Sequence, residues 1–342
     1  MRLDEITAAE NENTRKVEKC FRHDLSVILA SACLLIILLF SGTGFYYLLY
    51  ALRNIFPKLI ADWNNISLEQ AKGLYSAFYN SEILENSVSL ISYLLSIFIP
   101  VLFAKKFLIN KPKKLYPLKA EFPAKAGSFI FFSIGLCYVV NILCALLFQD
   151  LYPETGGSGT GGIITVIVSF IMVVIIAPFG EELVFRGVFF QSLSHYGQPF
   201  AIFLSALIFG LAHRNPPSVI NAFVMGICLA VGFAKTRSIT VCVLIHLANN
   251  AFAFMVPYLV LGMNVEALAI VIAFAMLTVA GFTVAMIINY TVNKKSGILY
   301  YDDMKCDFPR LNGGLLRYRL LTNFFFLFYI LLVAAGAALL YI

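Results

Sequence analysis

The chain has 342 residues, of which 60% are hydrophobic and only 13% charged, with a mean hydropathy of +0.85 and a formal net charge of +6. That composition excludes an ordinary soluble domain. Apolar runs long enough to cross a hydrocarbon core of roughly 30 Å recur along the chain, and they are continuous rather than alternating, which argues against a β-barrel. The expected fold class is all-α: a polytopic transmembrane helix bundle of about nine spans. It forms one integral membrane domain, 25–342, behind a charged cytoplasmic lead-in, 1–24.

In chain order the spans fall at Leu25–Leu52, Asn86–Ala104, Ala126–Gln149, Ile163–Ser194, Gln198–His213, Ser218–Ala234, Ile239–Gly262, Ala267–Asn289 and Leu320–Ile342. The first is too long for a cleavable signal peptide, and a mixed-charge segment precedes it. Residues 53–85 mix apolar and polar positions and are expected to form an amphipathic outer helix or cap. The glycine-rich run Thr155–Gly162 lacks the Gly-Lys-Ser/Thr ending of a phosphate loop and reads as a flexible turn. Pro178-Phe179-Gly180 is a candidate break in the fourth span, and 291–319 reads as a polar hairpin before the last one.

Lysine and arginine orient the bundle. Lys105, Lys106, Lys111, Lys113, Lys114, Lys119 and Lys125 follow the second span, and Lys235 and Arg237 the sixth. Lys294, Lys295, Lys305, Arg310 and Arg317 follow the eighth, whereas 150–162 and 263–266 carry no Lys or Arg. These clusters share one side if the N-terminus is inside and the C-terminus outside. A bacterial cytoplasmic membrane is the expected location, with the lipid bilayer as partner. Basic residues split among membrane loops argue against nucleic acid. The seven cysteines form no C-x-x-C pair and read as small buried apolar residues.

The polarity inside the membrane gathers in spans four to seven. "IIAPFGEELVFRGVFF" puts Glu181, Glu182 and Arg186 into an apolar run, where each charge costs about 3 kcal/mol on insertion scales. Glu182 and Arg186 are four residues apart and face each other, so they read as a neutralised internal strut. Glu181 lies about 100° around the helix and is left over. "FGLAH" places Phe209 one turn before His213, and "HLANN" places His246 and Asn250 on one helix face. At 1.5 Å rise per residue, Glu181, His213, His246 and Asn250 lie about 20, 22, 10 and 17 Å from the cytoplasmic ends of their helices, compatible with one polar layer. A carboxylate and an imidazole can hold and deprotonate water, and an imidazole plus an amide can donate to an oxyanion. The chemistry expected is amide hydrolysis inside the membrane.

"EELVFRG", "FGLAH" and "HLANN", in order on successive spans, resemble the E-E-x-x-x-R, F-x-x-x-H and H-x-x-x-N pattern of the CAAX protease and bacteriocin-processing (CPBP, or Abi) family, which includes the Ras-converting CAAX endopeptidase. The resemblance covers a catalytic core of about 163–258. It implies a CPBP-type intramembrane protease. Glu181 and His213 would activate water, His246 and Asn250 would form the oxyanion site, and Glu182, Arg186 and Phe209 would support them. Substrates implied are membrane-associated peptides: prenylated tails or leader peptides, with roles in signal-peptide processing, bacteriocin maturation or self-immunity. No cofactor is required on this reading. The alternative is zinc at Glu181, His213 and His246, an acceptable triad, although the chain has no H-E-x-x-H. A serine mechanism is weak, since Ser205 has no aspartate near it in any span. A second class of function uses the same polar layer without cutting, as a membrane scaffold or transporter-like peptide-binding protein.

Overall fold

The computed structural model describes residues 3–112, 126–148, 163–260 and 311–339, together with scattered helical positions between 270 and 284. Within them every regular element is a helix. The expected span Ala267–Asn289, the Thr155–Gly162 turn and most of 291–319 lie outside the described residues.

Helix α1 (Leu3–Leu39) runs through the charged lead-in and into the first apolar run without a break. Val17, Phe21 and Leu25 are all buried one turn apart, which carries the core back into that segment. α2 (Ser41–Ala51) continues the run after Phe40. The outer segment is two short helices, α3 (Phe56–Asn64) and α4 (Leu68–Tyr79). Asn65 joins them in the left-handed region at φ 50°, and Ser67 and Gln70 form a capping box that starts α4. This is the amphipathic cap expected at 53–85, with Trp63, Leu59 and Leu74 facing outward.

α5 (Glu82–Phe107) is inverted relative to a helix of a soluble protein. Leu95, Phe98 and Leu102 are exposed, while Ser92 and Ser96 are buried. Apolar side chains outward and small hydroxyls inward are what a lipid solvent selects. α6 (Ala126–Leu147) follows. α7 is one continuous helix through Ile163–Phe170, Ile171–Ile176, Ala177–Glu182, Leu183–Phe190 and Gln191–Ser194, the second and fourth stretches being π-helical. Pro178 therefore does not break the span. The wider turns occur on either side of it.

α8 (Gln198–Leu211) and α9 (Pro216–Thr236) are an antiparallel pair in close contact. A Cβ on Gly210 would meet the Val219 carbonyl oxygen at 3.0 Å, and one on Gly226 would meet the Ala206 Cα at 3.0 Å. Glycine at both positions lets the backbones approach. α10 (Ile239–Val260) completes the core. The last expected span, Leu320–Ile342, is broken: α11 (Gly313–Leu321) meets α12 (Phe324–Ala338) at a 58° bend. Asn323 makes that break by accepting from the Phe325 amide as the cap of α12.

Four helical runs among the described residues are long and apolar enough to cross a membrane, or five with the bent pair counted. They are Glu12–Ala51, Glu82–Phe107, Thr165–Ser194 and Pro216–Thr236. Nine full-length spans are thus not reproduced. The apolar stretches Phe129–Cys144, Gln198–Leu211 and Ile239–Met255 are shorter, and a 14-residue helix reaches only about 21 Å.

A buried latch ties three elements together at the basic end of the bundle. Asp24 of α1 accepts from the amides of Ile109 (2.7 Å) and Asn110 (3.1 Å), from the Asn110 side chain (2.9 Å) and from the Tyr196 hydroxyl (2.8 Å). These donors lie just after α5 and just after α7. Burial first, then the Asp24 carboxylate, push the Tyr196 phenol far above its ordinary range.

Candidate active site

The charged residues of α7 are where their cost is offset. Glu182 and Arg186 are fully buried, with Arg186 Nη1 donating to Glu182 Oε1 at 3.0 Å. Arg186 Nη2 donates to the carbonyl of Gly226 on α9 at 3.0 Å, and its guanidinium lies 5.0 Å from the centre of the Phe209 ring. The glycine that lets α9 approach α8 thus also presents the acceptor for this arginine. The expected strut is present, and it spans three helices.

His246 of α10 enters between the two glutamates. Its Nδ1 is 2.9 Å from Glu182 Oε1, and its Nε2 is 3.5 Å from Glu181 Oε2. Glu182 Oε1 already accepts from Arg186 and acts as an acceptor here too, so Nδ1 carries the hydrogen. Nε2 on the opposite edge of the ring then faces Glu181. Both atoms facing each other across this gap, Glu181 Oε2 and His246 Nε2, are buried and have no hydrogen-bond partner. Buried polar atoms without a partner call for one between or beside them.

Phe209 is the aromatic hub. Its ring meets Phe185, His213 and His246 edge-on, at centroid separations of 4.9, 5.1 and 5.6 Å. His213 sits in the turn after α8, with Nδ1 3.0 Å from the Phe209 carbonyl oxygen, so it too keeps its hydrogen on Nδ1. It lies within electrostatic range of Glu181 and His246. Among the described residues no hydrogen bond or ion pair joins it to Glu181. The direct pairing is therefore Glu181 with His246, not Glu181 with His213.

Asn250 lies one turn beyond His246, and its amide donates to the carbonyl of Val173 at 2.9 Å. Val173 belongs to the first π-helical stretch of α7, where the regular ladder of carbonyls is disturbed. One of the two amide hydrogens is used there, and one is left. Asn249 is buried, with its side-chain oxygen unpartnered. Tyr93 of α5 was not anticipated as a neighbour of the site. Its hydroxyl donates to the Ala177 carbonyl at 3.0 Å and stands 3.1 Å from where a Cβ on Gly180 would be, directly before Glu181. A tyrosine among apolar residues in "SLISYLLSIF" was the available signal.

Among the described residues no group of three or more His, Cys, Asp or Glu side chains comes together in a way that could hold a metal ion.

The fold and the site define a class: an α-helical membrane protein with a buried Glu-Glu-Arg-His arrangement among its core helices. Residues 163–252 match the model of a known family, described as Rce1-like, type II CAAX prenyl endopeptidase Rce1-like. The matched segment contains all three motifs, and the resemblance of this core to the CAAX proteases is thereby established, at the level of a protease family. No curated protein and no solved structure matches the chain.

Proposed function

We propose that the protein is an intramembrane endopeptidase that hydrolyses a peptide bond of a membrane-associated peptide. The observation that carries this reading is the pair of buried polar atoms without a hydrogen-bond partner, Glu181 Oε2 and His246 Nε2, facing each other at 3.5 Å. A water beside them can donate one hydrogen to each. Glu181 then takes a proton as the water oxygen attacks the carbonyl carbon, giving a tetrahedral oxyanion. The remaining amide hydrogen of Asn250 is available to that oxyanion. Collapse breaks the C–N bond, and the proton held by Glu181 goes to the leaving amine. The products are a carboxylic acid and an amine.

Glu182 holds His246 in the required tautomer, and Arg186 is the charge partner of Glu182. This is the arrangement by which a buried carboxylate orients a working imidazole. His213, fixed by the Phe209 carbonyl, offers Nε2 to the substrate or to the proton on its way to the amine. The family match supports a membrane-bound peptide as substrate, with prenylated tails and leader peptides the two classes to compare. The basic residues near the ends of α1, α5 and α9 support an orientation with the N-terminus inside and the C-terminus outside.

The test is cleavage of a panel of prenylated and leader peptides by the full chain in proteoliposomes. Wild type should cut, Glu181→Gln should not, and activity should survive a strong chelator. Retention of the cellular phenotype by Glu181→Gln, with no peptide cut by wild type, would favour a peptide-binding scaffold.

A further inference from the structure

The structure holds a cavity of about 410 Å³ between α1 and the α11–α12 bend. Arg22, Ser26, Tyr318, Arg319, Thr322 and Asn323 supply its polar lining. Arg22 is exposed, and among the described residues its guanidinium makes no hydrogen bond or ion pair. Arg319 is held from the side: Nε donates to Glu18 Oε1 at 2.9 Å, and Nη2 donates to the same oxygen. No described residue takes up Nη1. Asn323 donates to Ser26 Oγ at 2.9 Å, which joins the bend to α1 and fixes the cavity floor. With Glu18 counted against the two arginines, the site carries one net positive charge.

Apolar surface leads away from this basic mouth in one direction. Phe324, Leu327, Phe328 and Leu331 of α12 are exposed, by 70, 53, 36 and 66%. The rings of Phe324 and Phe328 are stacked at 6.0 Å, and Phe324 itself borders the cavity. A cation at the top of a continuous apolar strip matches one kind of molecule. We infer that this cavity binds an anionic phospholipid, with its phosphodiester between Arg22 and Arg319 and an acyl chain along Phe324, Phe328 and Leu331. The singly negative phosphodiester balances the site, and the 58° bend between α11 and α12 lies at the cavity, where Thr322, Asn323 and Phe324 line it. This site is separate from the Glu-His core and does not depend on proteolysis.

The experiment is native mass spectrometry of the full chain released from detergent after exposure to equal amounts of dioleoyl phosphatidylglycerol and dioleoyl phosphatidylcholine. Wild type should retain phosphatidylglycerol preferentially. Arg22→Gln should weaken that retention about fivefold, the loss expected for one basic residue at a membrane surface. Lys16→Gln, at an exposed position outside the cavity, should leave it unchanged. Equal retention of the two lipids, or an Arg22→Gln chain that binds like wild type, overturns the assignment. If millimolar inorganic phosphate displaces the lipid, the site recognises a soluble phosphate and the lipid assignment fails.

Discussion

Glu182→Gln tests whether the buried charges act as one balanced unit. Glu182 Oε1 accepts from Arg186 at 3.0 Å and from His246 at 2.9 Å, and neither Glu182 nor Arg186 has any side-chain exposure. The amide preserves the shape but removes the negative charge, leaving the Arg186 guanidinium buried with the Gly226 carbonyl and a neutral oxygen. Breaking a buried pair by removing one partner costs about 3–5 kcal/mol. Removing the second charge as well, in Glu182→Gln with Arg186→Met, eliminates the uncompensated cation and should recover at least half of that loss. The assay is thermal unfolding in detergent followed by a fluorogenic maleimide. Cys33, Cys137, Cys144, Cys228 and Cys242 are buried and become reactive only as the bundle opens. Trp63 is unsuitable as a reporter because it is 89% exposed in the folded chain. A single variant that melts with wild type, or a double variant no more stable than the single, would refute the account of Glu182–Arg186 as a charge-neutral strut.

Glu181→Gln should abolish cleavage while shifting stability by less than about 1 kcal/mol, because Oε2 gives up no hydrogen bond; unfolding and turnover measured on the same sample separate the two. Asn250→Ala should cost about 1 kcal/mol by releasing the Val173 carbonyl, and it should lower kcat by about a hundredfold if the second amide hydrogen serves the oxyanion. Gly226→Ala should destabilise by about 1–3 kcal/mol, since the new methyl meets the Ala206 Cα at 3.0 Å and the Phe209 ring at 3.2 Å, and a maleimide melt at wild-type temperature would contradict it. Tyr196→Phe tests the latch through pH. The folded phenol titrates above the ordinary tyrosine value of about 10, so its contribution is complete below pH 10 and falls as the unfolded chain ionises above it. The stability gap between wild type and Tyr196→Phe should therefore be constant up to about pH 10 and shrink beyond. A gap that widens with alkali would reverse the assignment.

The parts of this protein legible in its sequence are those where physics makes a residue type expensive. Charges in an apolar run marked Glu181, Glu182 and Arg186, and four-residue spacing alone paired the last two. Helical periodicity located α5, α7, α9 and α10 within a few residues at most ends. Contacts between helices were not legible in the same way. Spacing along α10 puts His246 with Asn250 but is silent on which carboxylate each ring nitrogen meets. Asp24 was the clearest omission. It stands at the edge of a charged segment, and only the folded chain reveals that amides 85 residues away converge on it. The bend before α12 did have a local signal, "TNFFF", an asparagine directly before an apolar run. The π-helical stretches had none, because a wider turn leaves the apolar pattern of a lipid-facing helix unchanged.

The two ring nitrogens of His246 explain how the two glutamates share one histidine. On a regular helix adjacent side chains diverge by about 100°, which would send Glu181 and Glu182 to different neighbours. His246 meets both because an imidazole carries its two nitrogens on different edges of the ring: Nδ1 takes the glutamate turned inward, and Nε2 faces the one turned toward the site. For that ring to wedge between them, the short α-helical segment Ala177–Glu182 must be held at a fixed rotation. It is bounded by a π-helical stretch on each side and pinned by neighbours, with Tyr93 on the Ala177 carbonyl and Asn250 on the Val173 carbonyl. Each of these carbonyls offers a second lone pair to a side-chain donor from a neighbouring helix. Tyr93 and Asn250 thus give α5 and α10 their grip on the glutamate-bearing turn, and Asn250 serves as a clamp on α7 as well as a donor facing the site. Tyr93→Phe therefore tests position apart from chemistry. It removes only the hydroxyl on Ala177, so it should lower kcat without abolishing cleavage, whereas Glu181→Gln should abolish cleavage in either background.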